Sequence, residues 1–170
     1  MAKRIKAFIM DIDGVLTDGR IGYGCASDDE IKFFDVKDGL RLKLLARAGI
    51  VPAVISGRSS KANARRMREL GIDHYIEGCP DKAEGLLEVC RSLGIGPDEC
   101  LYIGDDLIDL APVRMAGIGV AVGDAAPELK DAADWTTERC GGRGAVAETI
   151  EKLLRQMELW EEIVVSFSGA

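Results

Sequence analysis

The sequence predicts an α/β fold, a doubly wound and mostly parallel sheet with helices on both faces and a small β-hairpin attached. Short apolar runs alternate with amphipathic stretches from end to end, the rhythm of repeated strand-helix units. Acidic or hydroxyl-bearing residues stand at the ends of three of those runs, Asp11 and Ser56 directly and Asp105 after Gly104, as expected where strand tips gather at one edge of an open sheet.

Ala7–Met10 is the first strand. Arg20–Tyr23 and Ile31–Phe34 are short alternating runs, and the polar stretch 24–30 between them reads as a hairpin loop. Gly39–Ala48 follows as a helix and Val51–Ile55 as a buried strand. Ser60–Leu70 is a helix capped by Ser59 or Ser60 and stopped at Gly71. Asp81–Leu93 is the next helix and Cys100–Ile103 the next strand. Leu107–Met115 reads as a helix interrupted near Pro112, Gly117–Val122 as a strand, and Trp135 lies near a last short strand. Ala145–Leu159 closes the domain as an amphipathic helix, followed by the apolar tail Ile163–Phe167.

With 170 residues, 47% hydrophobic and 30% charged, the chain has room for one domain, residues 1–160 with the hairpin at about 19–36, and a C-terminal tail at 161–170. The net charge of -7 and the lack of a basic, aromatic-interleaved stripe exclude nucleic acid as an expected partner. No stretch reaches the roughly 20 apolar residues of a membrane span, and Met1–Met10 turns acidic too soon for a signal peptide. No membrane partner and a cytoplasmic location are expected. Five cysteines without CxxC spacing read as reduced thiols rather than disulfides or a zinc site.

The chemistry concentrates at strand ends. Asp11-Ile12-Asp13-Gly14 emerges from the first strand, and residues two apart in extended chain share a face, so both carboxylates reach one centre while Gly14 allows a sharp turn. Gly104-Asp105-Asp106-Leu107-Ile108-Asp109 adds acids after another strand. Oxygen-only ligands favour Mg²⁺. Ser56-Gly57-Arg58 offers a hydroxyl, backbone amides and a guanidinium at a helix start, which is anion-binding chemistry, and Lys82 opens another helix with a further positive charge.

Taken in the order Asp-x-Asp, Ser, Lys, Asp-Asp, these motifs resemble the haloacid dehalogenase-like phosphatases, whose fold is Rossmann-like. The stretches 11–19, 36–40, 56–58, 81–82, 102–110 and 141–146 are more closely similar to the 3-deoxy-D-manno-octulosonate 8-phosphate phosphatases among them. The resemblance implies that Asp11 attacks phosphorus and ligates Mg²⁺, and that Asp13 protonates the leaving alkoxide, activates water and lends its carbonyl to the metal. Ser56 and Lys82 would hold the phosphoryl group. Asp105 would complete the metal site, with Asp106 and Asp109 orienting waters and Lys82. Asp35, Val36, Lys37, Asp38, Gly39, Gly57, Arg58, Arg66 and Asp109 would join Asp13 and Lys82 in facing the substrate, a small phosphorylated sugar acid. Asp35 and Lys37 depart from the His or Asn and the Arg usual at those places, which bears on sugar choice rather than on chemistry.

Only the hairpin separates Asp13 from Ser56 beyond one helix and strand, so no cap domain is expected. In the resembled family a homotetramer supplies the missing wall, with a neighbouring subunit closing the site. Two other functions fit parts of the pattern: a phosphatase of a nine-carbon sugar acid 9-phosphate, and a receiver-like signalling domain. Receivers place the acid pair and the phosphorylated Asp on different strands, whereas Asp-x-Asp-Gly keeps nucleophile and acid together.

Overall fold

The computed structural model describes residues 5–24 and 30–168. Cys25 and most of the expected hairpin loop, 25–29, lie outside the described residues. Six strands form one sheet, β1 (Ala7–Met10), β4 (Val51–Ile55), β5 (His74–Ile76), β6 (Cys100–Gly104), β7 (Ile118–Ala121) and β8 (Trp135–Thr136), in the order β5-β4-β1-β6-β7-β8 with every pairing parallel. The doubly wound α/β sheet expected from the sequence is present. β1 and β6 are buried along their whole length, which is why they read as unbroken apolar runs rather than alternating ones.

Among the described residues seven α-helices accompany the strands, the last two after β8: α1 (Val36–Arg47), α2 (Lys61–Leu70), α3 (Lys82–Leu93), α4 (Leu110–Met115), α5 (Pro127–Ala132), α6 (Ala145–Gln156) and α7 (Trp160–Phe167). From β1 the chain steps to β4 and β5, then crosses back to β6 and continues to β8. Right-handed crossovers put helices on opposite faces before and after that reversal, and the strand where the winding reverses is β1. Asp11, the residue after β1, therefore stands at the switch point of the sheet.

The hairpin is shorter than the alternating runs suggest, with β2 (Gly22–Tyr23) antiparallel to β3 (Glu30–Ile31). Phe33 and Phe34 run on toward α1, which begins at Val36 because the Asp35 carboxylate caps it by accepting from Lys37 N at 2.8 Å. Asp81 caps α3 in the same way, accepting from the amides of Ala83 and Glu84. Ser60 stands at the cap of α2 without a side-chain capping bond. The expected break near Pro112 lies instead between a 3-10 turn at Leu107–Asp109 and α4; Pro112 sits in the first turn of α4, where its missing N–H is not needed. α6 ends three residues earlier than the pattern suggests, Glu158 takes a left-handed φ of 64°, and the whole apolar tail Ile163–Phe167 belongs to α7. Trp160 anchors α7, its ring flanked by the guanidinium groups of Arg41 at 5.5 Å and Arg155 at 5.3 Å.

Asn63 in α2 is fully buried, and neither atom of its amide has a hydrogen-bond partner among the described residues. An unmatched buried amide costs about 1 to 3 kcal/mol. Asn63→Leu, of similar shape without the polar atoms, is expected to raise unfolding stability by about 1 to 2 kcal/mol in urea titration. A loss of stability would show that the amide is matched in solution.

Candidate active site

The parallel register sets the geometry. Met10 lies beside Val54 of β4 and Ile103 of β6, so Asp11 leaves the sheet level with Ile55 and Gly104. Ser56 and Asp105, each one residue further along, flank it. The Asp11 backbone amide donates to Ile103 O at 3.2 Å, and its Oδ1 accepts from Ile12 N at 2.7 Å. Beyond it the chain turns around the Ile12 carbonyl, which accepts from the amides of Val15, Leu16 and Thr17. Gly14 holds φ at 91°, and a Cβ placed there would fall 2.0 Å from Asp105 Oδ2. Glycine is required twice over, for the left-handed backbone and for the close approach of Asp105.

Lys82 reaches in from the first turn of α3 with its side chain 1% exposed, and its Nζ contacts Asp11 Oδ2 at 2.7 Å and Asp109 Oδ1 at 2.8 Å. Burial alone would push this ammonium's pKa down, but Asp11 and Asp109 outweigh it and hold it above its ordinary value. Burial raises Asp11 to about 6 against the pull of Lys82. Burial, then the charges of Asp11 and Asp109, push Asp105 up to about 8.

Carboxylate oxygens of Asp11, Asp105 and Asp109 lie within 4.8 Å of one another. Asp109 is already committed, however. Its Oδ1 accepts from Lys82 Nζ and from the buried Tyr102 hydroxyl at 2.7 Å, and its Oδ2 from the amides of Asp105 at 3.0 Å and Asp106 at 3.3 Å. Four donors make Asp109 a bracket for Lys82 and the Asp105 backbone, which leaves Asp11 and Asp105 as the carboxylates free to hold a cation. A hard divalent ion such as Mg²⁺ suits this oxygen-only pair, since its charge offsets both the burial and the neighbouring carboxylates that raise Asp105, and water completes its shell.

Asp13, two residues past Asp11, has one oxygen paired with Lys32 Nζ and the other buried without a hydrogen-bond partner among the described residues. Ser56 is 1% exposed; its hydroxyl donates to Arg58 O at 3.0 Å and accepts from Arg58 N at 3.2 Å, so it sits in the turn that opens toward α2 with Gly57. Asp106 instead caps the 3-10 turn, accepting from Leu107 N at 2.7 Å.

The structure therefore gathers Asp11, Lys82, Asp105 and Asp109 into one contact network, and several of the other residues expected to face the sugar have partners of their own. Asp35 is engaged as a helix cap, and Val36 and Lys37 are exposed beside it. Asp38 is buried and accepts from Ala147 N at 2.7 Å, supplying a cap that α6 lacks because Gly144 has no side chain. Burial raises the Asp38 carboxyl to about 6. Gly39 is pressed by Arg66, whose Nη2 would lie 2.6 Å from an added Cβ. Arg66 itself covers the Phe34 ring at 5.6 Å, and Arg58 pairs with Glu30 at 2.7 Å. None of these side chains hydrogen-bonds to the acid cluster among the described residues. Sequence reasoning missed Lys32 and Tyr102. Tyr102 sits inside an apolar run and so reads as core, while Lys32 carries a signal only in its position between the apolar Ile31 and Phe33.

A family model for haloacid dehalogenase-like hydrolases matches residues 76–150. The 3-deoxy-D-manno-octulosonate 8-phosphate phosphatase of Escherichia coli K12 is 40% identical over 153 residues, 90% of this chain and 81% of that protein. The crystal structure of the phosphatase of that name from Moraxella catarrhalis, in complex with a magnesium ion, a phosphate ion and a KDO molecule, superposes with a TM-score of 0.94 at 43% identity, covering 98% of this chain and 95% of that one. The cobalt-bound Haemophilus influenzae structure superposes with a TM-score of 0.89 at 36% identity, covering 94% and 92%. With this identity and superposition along nearly its whole length, the chain belongs to the haloacid dehalogenase-like hydrolases, in the family of the 3-deoxy-D-manno-octulosonate 8-phosphate phosphatases.

Proposed function

We propose that the protein hydrolyses 3-deoxy-D-manno-octulosonate 8-phosphate through an aspartyl-phosphate at Asp11, in the synthesis of lipopolysaccharide precursors. The observation that carries this reading is the position of Asp11 at the switch point, in contact with a buried ammonium and with its carboxylate close to that of Asp105. One Asp11 oxygen attacks phosphorus as the bond from phosphorus to the sugar oxygen breaks, and that oxygen leaves with the proton carried by Asp13. Asp13 then takes a proton from water as the water oxygen attacks phosphorus, the bond to Asp11 breaks, and inorganic phosphate departs. Lys82, Ser56 and the amides of the 56–58 turn neutralise and orient the phosphoryl oxygens. Asp11, Asp105 and the Asp13 carbonyl would hold Mg²⁺, which supplies further charge neutralisation there.

The substrate assignment is tested by following phosphate release from the eight-carbon 8-phosphate and a nine-carbon sugar acid 9-phosphate, with and without Mg²⁺. Mg²⁺-dependent preference for the eight-carbon sugar is expected; preference for the nine-carbon sugar overturns the assignment. We place the reaction in the cytoplasm, in keeping with the free thiols of Cys79, Cys90, Cys100 and Cys140.

A homotetramer closing the site fits the apolar surface around the hairpin, where Tyr23, Ile31, Phe33, Val36 and Leu40 are all exposed. Light scattering is expected to give four times the 18.3 kDa chain mass. A monomer with full activity would sink this assembly.

A further inference from the structure

We propose that Lys32 is a positioning residue for the acid-base group Asp13, delivered into the site by the hairpin. The strand period sets it there. Successive side chains in extended backbone point to opposite faces, and Ile31 and Phe33 are 50% and 75% exposed while the Lys32 side chain between them is 0% exposed. The usual arrangement of apolar side chains inward and charges outward is thus reversed. A lysine buried this completely requires partners, and the ones it has are Asp13 and, at 3.7 Å, Glu30. Glu30 also binds Arg58, so the hairpin is fastened to the turn that carries Ser56.

Lys32 grips only Asp13 Oδ1. Oδ2, buried and without a hydrogen-bond partner among the described residues, is the atom left to deliver and receive the proton. Asp13 is followed directly by the left-handed Gly14, and without Lys32 nothing in hydrogen-bond contact fixes the orientation of its carboxyl among the described residues. Holding one oxygen directs the other, which is the positioning that proton transfer to a leaving group requires.

This inference rests on Asp13 being the acid, and the test separates the two. A series of substituted phenyl phosphates, from p-nitrophenyl phosphate to phenyl phosphate, removes any sugar contact and varies only the need for a proton on the departing oxygen. The ratio kcat/KM reports the steps through departure of that group. For Lys32→Met, phenyl phosphate is expected to lose about 10- to 100-fold in kcat/KM and p-nitrophenyl phosphate less than about 3-fold, because proton delivery matters most for poor leaving groups. Lys32→Arg is expected to restore most of the loss. Lys32→Gln carries the same test should the Met variant not fold. A loss equal across the series, or none, overturns the proposal, since an equal loss marks a residue that binds the phosphoryl group. Asp13→Asn is the separate control: if it keeps wild-type dependence on the leaving group, the acid assignment itself is wrong, whatever Lys32 does.

Discussion

Asp11→Asn is expected to abolish turnover, lowering kcat by about 10⁴-fold or more, because removing a nucleophile removes the covalent route altogether. The substitution is close to isosteric, and its structural cost is small for a reason visible in the site. Burial raises the Asp11 carboxyl to about 6, so its ionised form is strained there in the metal-free protein, and an uncharged amide relieves that strain. Lys82 keeps Asp109 as its partner. The variant should therefore fold with a Tm at or above that of the parent in metal-free buffer while releasing no phosphate. The experiment pairs a phosphate-release assay with a thermal melt and with acid-quench trapping of labelled phosphoprotein, which only the parent chain should yield. Retention of more than a few per cent of parent activity in a folded Asp11→Asn protein would move the nucleophile elsewhere.

The second large effect is on metal binding. With Asp105 pushed up to about 8 by burial and by the charges of Asp11 and Asp109, the metal-free protein carries a proton on this carboxyl at neutral pH. A cation must expel it. Mg²⁺ affinity is therefore expected to rise about tenfold for each pH unit up to about 8 and to level off above. Calorimetry at pH 7 in buffers of different ionisation enthalpy should report release of about one proton per ion bound. Folding stability moves with it. The native state holds the Asp105 proton more tightly than the unfolded chain, whose carboxyl keeps its ordinary value of 3.8, so metal-free stability should fall as pH rises from about 4 to about 8. Saturating Mg²⁺ should remove that slope. An affinity that does not change between pH 6 and 8 would remove Asp105 from the metal site.

The parts of this site that were legible from sequence are those fixed by the ends of buried strands. Asp11, Ser56 and Asp105 follow uninterrupted apolar runs, and parallel pairing in register leaves their neighbours little freedom, so reading the runs was enough to bring the three tips together. Lys82 was legible only through its place in the order Asp-x-Asp, Ser, Lys, Asp-Asp, since a lysine at a helix start is by itself a common surface residue. What failed to read were contacts set by distant chain. Asp38 lies in a stretch that reads as sugar-facing, and that reading did not show that a helix 109 residues away, begun on a glycine, takes one of its carboxylate oxygens as a cap. Lys32 hid for a different reason. Alternation reveals that a strand has two faces but not which of them looks inward, and a hairpin projecting from the sheet reverses the usual answer. The α5 helix, only six residues long, left no periodicity to detect.

Asp109, Lys82 and Tyr102 together give the acid cage an internal counter-ion that never leaves. A constellation of carboxylates held only by a dissociable metal would splay apart whenever that metal was lost, and would have to reassemble before each new ion could enter. Here the ammonium and the phenol keep the cage in shape through such intervals, so that scarcity of the ion idles the protein without dismantling it.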